Sequence, residues 1–284
     1  MINEVKKVLS FLCCVVLIFT MSGCGFNTVI NNSNSNTAQE DVTLDSNSEI
    51  VDTEKPNNTD NESTGITLSP EVENCLTSLE TDYNKIAWGV KYSIFDDYPA
   101  FVISVTPYSS KGKNYLVVAL TNLYSDDISF SGDALAYDVN NSEIGPTHFS
   151  VVNIGTGSTV LQLINCEDGI PDGRIHWSDC AIEIAEKQKY IPWESDYTAS
   201  GNADKGCLTV SYSIYAQDNK DMIVDDVSIL LLDKSGYVIG VETDHVSDVV
   251  VAGSQLNDSI DICEDISVLN LANDIAMFAN PIGK

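Results

Sequence analysis

The strongest constraint on this fold is an internal repeat. Leu116-Val117-Val118-Ala119-Leu120 returns as Leu208-Thr209-Val210-Ser211-Tyr212. Ala134-Leu135-Ala136-Tyr137-Asp138, a turn and Glu143-Ile144-Gly145 return as Ser228-Ile229-Leu230-Leu231-Leu232-Asp233, a turn and Val238-Ile239-Gly240. His148-Phe149-Ser150 returns as His245-Val246-Ser247, Gly157-Ser158 as Gly253-Ser254, and Cys166-Glu167-Asp168 as Cys263-Glu264-Asp265. The order is kept and the offset stays between 92 and 97 residues. Self-similarity at a near-constant spacing means one structural unit used twice. A unit of about 90 residues is the size of one Ig-like sandwich.

The local pattern within each unit agrees. Phe101-Val102-Ile103-Ser104-Val105, Tyr115 to Leu120, Ile128 to Ser131 and Ala134 to Tyr137 read as short strands. Gly and Asn/Asp punctuate them every 8–14 residues, the rhythm of an antiparallel sandwich. Ahead of them, Ser69-Pro70-Glu71 is a helix start: a capping hydroxyl, Pro in the first turn and an acid beside it. Val72, Cys75, Leu76 and Leu79 then fall on one helical face, and the spacing predicts a short helix from Pro70 to about Asp82. The fold expected is all-β: a short helix at 69–83, a first Ig-like β-sandwich at 84–196 and a second at 203–284.

The N-terminus carries a different signal. Lys6 and Lys7 precede an apolar run from Val8 to Phe19, and Met21-Ser22-Gly23 places small residues before Cys24. A basic start, a short apolar core and a small-residue cleavage site define an export signal. The apolar run is too short to span a bilayer of about 30 Å. Met21-Ser22-Gly23-Cys24 resembles the lipobox of bacterial lipoproteins, with Met in place of the commoner Leu. The resemblance implies a signal peptide of residues 1–23 and a diacylglyceryl group on Cys24, which becomes the first mature residue. Two acyl chains suffice for stable anchoring. Residues 24–68 are rich in Asn, Ser, Thr and acids, without aromatics after Phe26. Such a segment buries too little to offset its ordering entropy and reads as a disordered acidic tether.

Charge narrows the partners. The 284 residues hold 14 basic and 42 acidic side chains, a net charge of −28. That balance argues against nucleic acid, whose phosphates would repel it. An anionic bilayer would repel it too, so acylation rather than a basic patch must hold the chain at the membrane.

The hairpin from Leu231 to Gly240, followed by Ala252-Gly253-Ser254, resembles the FxLYD-type Ig-like modules of bacterial lipoproteins. The likeness covers about 30 residues of the second repeat and is fainter in the first, where Asn140-Asn141-Ser142-Glu143 replaces Asp-Lys-Ser-Gly. It implies a fold and no activity.

Catalytic signatures are sparse. His148 and His245 occupy matching repeat positions, which favours a structural task such as capping a strand end, and His176 stands apart. The zinc-type spacings are missing, as are Gly-x-Ser-x-Gly and the phosphate-loop pattern. Asp96-Asp97, Asp126-Asp127 and Asp225-Asp226 read as turn acids without a calcium-loop frame. Of the mature cysteines beyond Cys24, Cys166 with Cys180 and Cys207 with Cys263 are the disulfides open to an exported chain, leaving Cys75 odd. The alternative is buried thiols acting as small apolar groups. Trp88, Trp177 and Trp193 are either core residues or platforms for sugars. The sequence is therefore read as a lipid-anchored protein on the extracytoplasmic face of the cell membrane. It is a non-catalytic module binding a protein, wall polymer or glycan, with no cofactor, no metal and no nucleic-acid partner. A structural spacer or accessory subunit of an envelope assembly is the alternative, and an enzyme acting on wall or glycan the third.

Overall fold

A computed structural model describes residues 65–79, 81–166, 169–185, 190–202, 206–216 and 220–283. The lipobox, with Cys24, and most of the tether lie outside the described residues. The fold is all-β, in antiparallel sheets stacked as sandwiches.

The chain enters through Ile66, which bridges to Ser93, and Leu68, which is buried. The packed region thus begins earlier than the sequence division at 68 places it. Helix α1, Pro70–Thr77, is capped by Ser69, whose hydroxyl accepts from the Val72 amide at 3.4 Å. It stops five residues short of the Asp82 expected from the periodicity. Asn84 explains the stop, because its amide donates to the carbonyls of Leu76 and Leu79 and so satisfies groups that a longer helix would have used. A 3-10 turn, Asp82–Lys85, follows.

The first sandwich pairs two sheets. Strands β1 (Val90–Tyr92), β2 (Phe101–Ser110), β3 (Lys113–Asn122) and β6 (Thr159–Asn165) form one, in the order β1-β2-β3-β6. Strands β4 (Ile128–Asp138), β5 (Glu143–Ile154) and β7 (Pro171–Ile184) form the other, in the order β5-β4-β7. The second sandwich repeats that plan. Strands β8 (Trp193–Asn202), β9 (Cys207–Ala216) and β12 (Leu256–Cys263) make the sheet β12-β9-β8. Strands β10 (Met222–Leu232), β11 (Val238–Val250) and β13 (Asp274–Ala279) make β11-β10-β13, and β14 (Ile282–Gly283) extends the β13 side of β10. Strand for strand, β2–β7 and β8–β13 share one connection order, so the duplication is real at the level of topology. One boundary moves: β8 begins at Trp193, before the expected first-sandwich end at 196, and pairs throughout with β9, so it opens the second sandwich rather than closing the first.

The repeat extends to turn chemistry. In the β4–β5 hairpin, Asp138 Oδ1 accepts from the amides of Asn140 at 2.8 Å and Ser142 at 2.7 Å. In the β10–β11 hairpin, Asp233 Oδ1 accepts from Ser235 at 2.7 Å and Tyr237 at 3.0 Å. The left-handed slot in this turn is filled by Asn141 (φ 64°) in the first copy and by Gly236 (φ 82°) in the second. Asn tolerates that region better than most residues with a Cβ, so the turn survives where the sequence likeness fades. The marker Cys166 is displaced by one position, however. Leu116 pairs with Ile164 and Leu208 with Ile262, which aligns Cys263 with Asn165 rather than with Cys166.

The two sandwiches are not beads on a string. Alternation puts Leu116, Val118 and Leu120 on one face of β3 and Val117 and Ala119 on the other, and all five are fully buried. The first set packs inside the first sandwich. The second set lies on the outer face of the sheet, the face on which Ser104 pairs with Ala119. Tyr83 closes part of that face and shares a 2.6 Å hydrogen bond with Ser104. Leu230, Leu232, Ala276 and Phe278 of the second sandwich join the same apolar cluster, while Ile229, Leu231, Ile275 and Met277 point into the second core. The result is four sheet layers in which Leu116–Asn122 of β3 and Val227–Leu232 of β10, in the inner two, are buried on both faces. This is why β3 and β10 read as continuous apolar runs.

Candidate functional site

The seam between the sandwiches is where polar chemistry collects. Lys85 sits 2.9 Å from Asp82 and 3.6 Å from Asp274, and donates to the Ile275 carbonyl at 2.9 Å. Burial works against its charge, but Asp82 and the Tyr197 hydroxyl outweigh that and hold its pKa above the usual lysine range. Asp82 also accepts from the Met277 amide at 2.7 Å. At the other end of the seam, Glu264 accepts from the hydroxyls of Tyr108 at 2.5 Å and Ser110 at 2.6 Å. Burial first, and then this carboxylate, push the Tyr108 phenol above its ordinary value. Glu264 is the middle residue of the second Cys-Glu-Asp marker, so that marker is a docking element.

Two clefts open along the seam. The larger, about 440 Å³, is walled by β6, β10, β11 and β13 and includes Gln162, Ser228, Thr243, His245, Phe278 and Asn280. The second, about 420 Å³, is walled by Asp82, Ser158, Tyr190, Trp193, Glu194 and Tyr215, among others. Thr159, Phe278 and Ala279 line both, so the two clefts adjoin. No Lys or Arg lines either cleft among the described residues.

The second cleft has an aromatic wall. Burial raises the Tyr190 phenol to about 12, against the opposing influence of the Trp193 side chain. Tyr215 donates to Glu194 at 3.1 Å. Ser158 follows Gly157 (φ 68°) in the turn into β6. Its side chain is buried and its Oγ finds no hydrogen-bond partner. In the first cleft Asn280 donates to the Asn153 carbonyl, while its Oδ1 is buried and unpartnered. Native structures seldom leave such groups unmet, and each calls for an explanation.

The residues singled out from sequence distribute as follows. His148 and His245 sit within β5 and β11 rather than at strand ends. Their Nδ1 atoms lie 2.7 Å from Asp133 and 2.5 Å from Asp226, the residues on the adjoining strands. Both pairs are exposed, and only the second borders a cleft. Trp177 is buried against Phe130 and Phe149 and donates to the Tyr92 hydroxyl. Trp88 stacks on Tyr83. Of the three, Trp193 lines one of these two clefts. Cys207 and Cys263, directly opposed on β9 and β12, form a disulfide. Cys166 and Cys180 are free thiols, and burial pushes them up to about 11 and about 12. They do not pair because Cys166 follows β6 in one sheet while Cys180 lies on β7 in the other. No cluster of His, Cys, Asp and Glu suited to a metal occurs among the described residues. No helix among them is long and apolar enough to cross a membrane.

No family model and no curated protein matches the chain. Among solved structures it is similar in part to the crystal structure of red sea bream transglutaminase. That match is 13% identical, covers 57% of this chain and 27% of that one, and has a TM-score of 0.19. The chain spans about a quarter of that structure's length, and the likeness carries no weight for fold or activity.

Proposed function

We propose that this chain is a lipid-anchored binding module of the cell surface. It is held at the membrane through Cys24 and presents its double sandwich to a protein, wall polymer or glycan without turning it over. The anchor rests on Met21-Ser22-Gly23-Cys24. The binding role rests on the two adjoining clefts at the seam, whose walls come from both sandwiches. Ligand sites also favour the junction of two units.

A spacer or accessory subunit is the second reading. The observation behind it is the apolar joint around Leu230, Leu232 and Phe278, which makes a stiff body suited to holding something at a fixed distance. Two measurements test the proposal. Metabolic labelling with a fatty-acid probe is expected in the native chain and lost in Cys24→Ala; equal labelling refutes the anchor. A reproducible component retained from cell-wall extract by the native chain supports binding, and none retained leaves the spacer.

A further inference from the structure

We propose that the open edge of β6 takes an extended peptide of a partner protein as an added β-strand, one that alternates apolar with basic residues. This rests on the binding-module reading and names the partner's chemistry.

The hydrogen-bond pattern identifies the edge. β6 pairs with β3 alone, with Leu161 opposite Ala119 and Leu163 opposite Val117. Just beyond its two ends, the Cys166 amide donates to the Asn114 carbonyl and the Ser158 carbonyl accepts from the Asn122 amide. Antiparallel rungs alternate between bonded and non-bonded pairs, so Val160, Gln162 and Ile164 turn their main-chain groups toward β3. Those of Leu161 and Leu163 point off the sheet, and no other main chain closes on them among the described residues. A row of open N–H and C=O groups is a template for a further strand.

The other edges of the two inner sheets are guarded. Ile66 exchanges hydrogen bonds with Ser93 beside β1. On β13 the Met277 amide is taken by Asp82 and the Ile275 carbonyl by Lys85. β11 breaks register with β10 between His245 and Asp248, and a bulge of that kind turns an edge away from pairing.

The first cleft gives the open edge its room. Thr159, Val160, Leu161, Gln162 and Leu163 line its space of about 440 Å³ in unbroken succession. Neighbours on a strand point to opposite faces, so a cleft that touches all five runs along the edge rather than over one face. Leu163 is 36% exposed although its rung partner Val117 is fully buried. Apolar surface is therefore left uncovered where the edge opens. In strand addition the main chain supplies affinity and alternate side chains supply specificity.

Charge selects the occupant. Asp225 and Asp226, both exposed, line the same cleft, and no Lys or Arg joins them among the described residues. His245, 2.5 Å from Asp226, answers only one of the two. A basic residue on the incoming strand is attracted there and an acidic one repelled. The same field disfavours two occupants near at hand: residues 24–64 carry eight acids against one Lys, and a second copy brings a net charge of −28.

The test is selection of seven-residue peptides from a random phage-displayed library on the full chain in detergent, then calorimetric titration with the synthetic winners. Winners are expected to alternate apolar residues with Lys or Arg. Asp225→Asn combined with Asp226→Asn should weaken them at least tenfold, while Glu183→Gln, an exposed acid of β7, leaves them unchanged. Leu163→Pro removes an outward amide and no rung to β3, which an edge strand accepts. It should also weaken binding at least tenfold, with circular dichroism reporting an unchanged fold. Two N-methylated forms of the peptide, blocked at alternate sets of amides, probe the edge without altering the protein: one set should abolish binding and the other be tolerated. No enriched peptide, or enrichment of acidic ones, overturns the proposal, and retention from wall extract then still decides whether the chain is a binding module. Methylation sets that act alike, or full binding by a folded Leu163→Pro, refute strand addition at β6.

Discussion

Gly236 offers a direct measure of how firmly the two sandwiches are joined. It occupies the left-handed slot of the β10–β11 turn with φ 82°, and its carbonyl accepts from the Ala87 amide at 2.8 Å across the seam. A Cβ built there lies 2.5 Å from the Lys85 carbonyl oxygen and 3.2 Å from the Ala87 nitrogen, both backbone atoms. Gly112, in the two-residue β2–β3 turn, has nearly the same backbone, φ 76°, but its Cβ would meet nothing within 4 Å. Alanine at either site incurs the left-handed penalty of roughly 1–2 kcal/mol. Only Gly236→Ala must also push the 82–87 segment off the second sandwich. That movement sacrifices the Ala87 hydrogen bond, about 0.5–1.5 kcal/mol net, and loosens the Lys85 cluster behind it. The expected losses are about 1–2 kcal/mol for Gly112→Ala and about 1.5–3.5 kcal/mol for Gly236→Ala. Urea unfolding of both variants reads the difference, which should appear as a lower midpoint with an unchanged slope. Equal losses would show that the Gly236–Ala87 contact is not a tight joint, and the four-layer arrangement would have to be abandoned.

Two further outcomes follow from the geometry. Replacing both Cys207 and Cys263 with Ala frees a loop of sequence separation 56 and should cost about 4 kcal/mol on the chain-entropy account, read as a lower urea midpoint; no change would mean that the bond does not form. Burial raises the phenols of Tyr83 and Tyr92 to about 12, whereas in the unfolded chain they ionise near 10. The stability this confers is complete below about pH 10 and is lost as pH climbs through about 12, on the order of 2 kcal/mol for each phenol. Tyr83→Phe should flatten that alkaline fall while lowering the neutral plateau, and an identical alkaline slope in native and variant chains would contradict the burial assigned to Tyr83.

What the sequence revealed, and what it hid, divides by range. Strand periodicity and turn residues act over a few positions, so Leu116 to Leu120, the Asp233 turn and the order of the repeat markers were readable in one dimension. Asn141 was harder, because a left-handed Asn is chemically equivalent to Gly236 without looking like it. The partner of β8 was hidden for another reason. Trp193–Asn202 is an edge strand with polar residues on its open side, and nothing local says which sheet it joins. The runs in β3 and β10 announced burial on two faces without naming what lies on the second. The clefts were least legible of all. Asp82, Ser158, Trp193, Tyr215 and Phe278 line one cleft only because one sandwich docks on the other, and no spacing in the sequence announces that.

The doubly covered inner sheets bear on how such a protein can change over generations. A duplicated unit usually begins as a spare part, able to be lost, swapped or multiplied. Here each copy has come to wear the other as its outer coat. Released alone, the second unit would carry Leu230, Leu232, Ala276 and Phe278 to its surface as a sticky apolar plate. Lineages that shuffle, add or shed one copy would have to repaint that plate with polar residues in the same step, so the pair is inherited as a single part.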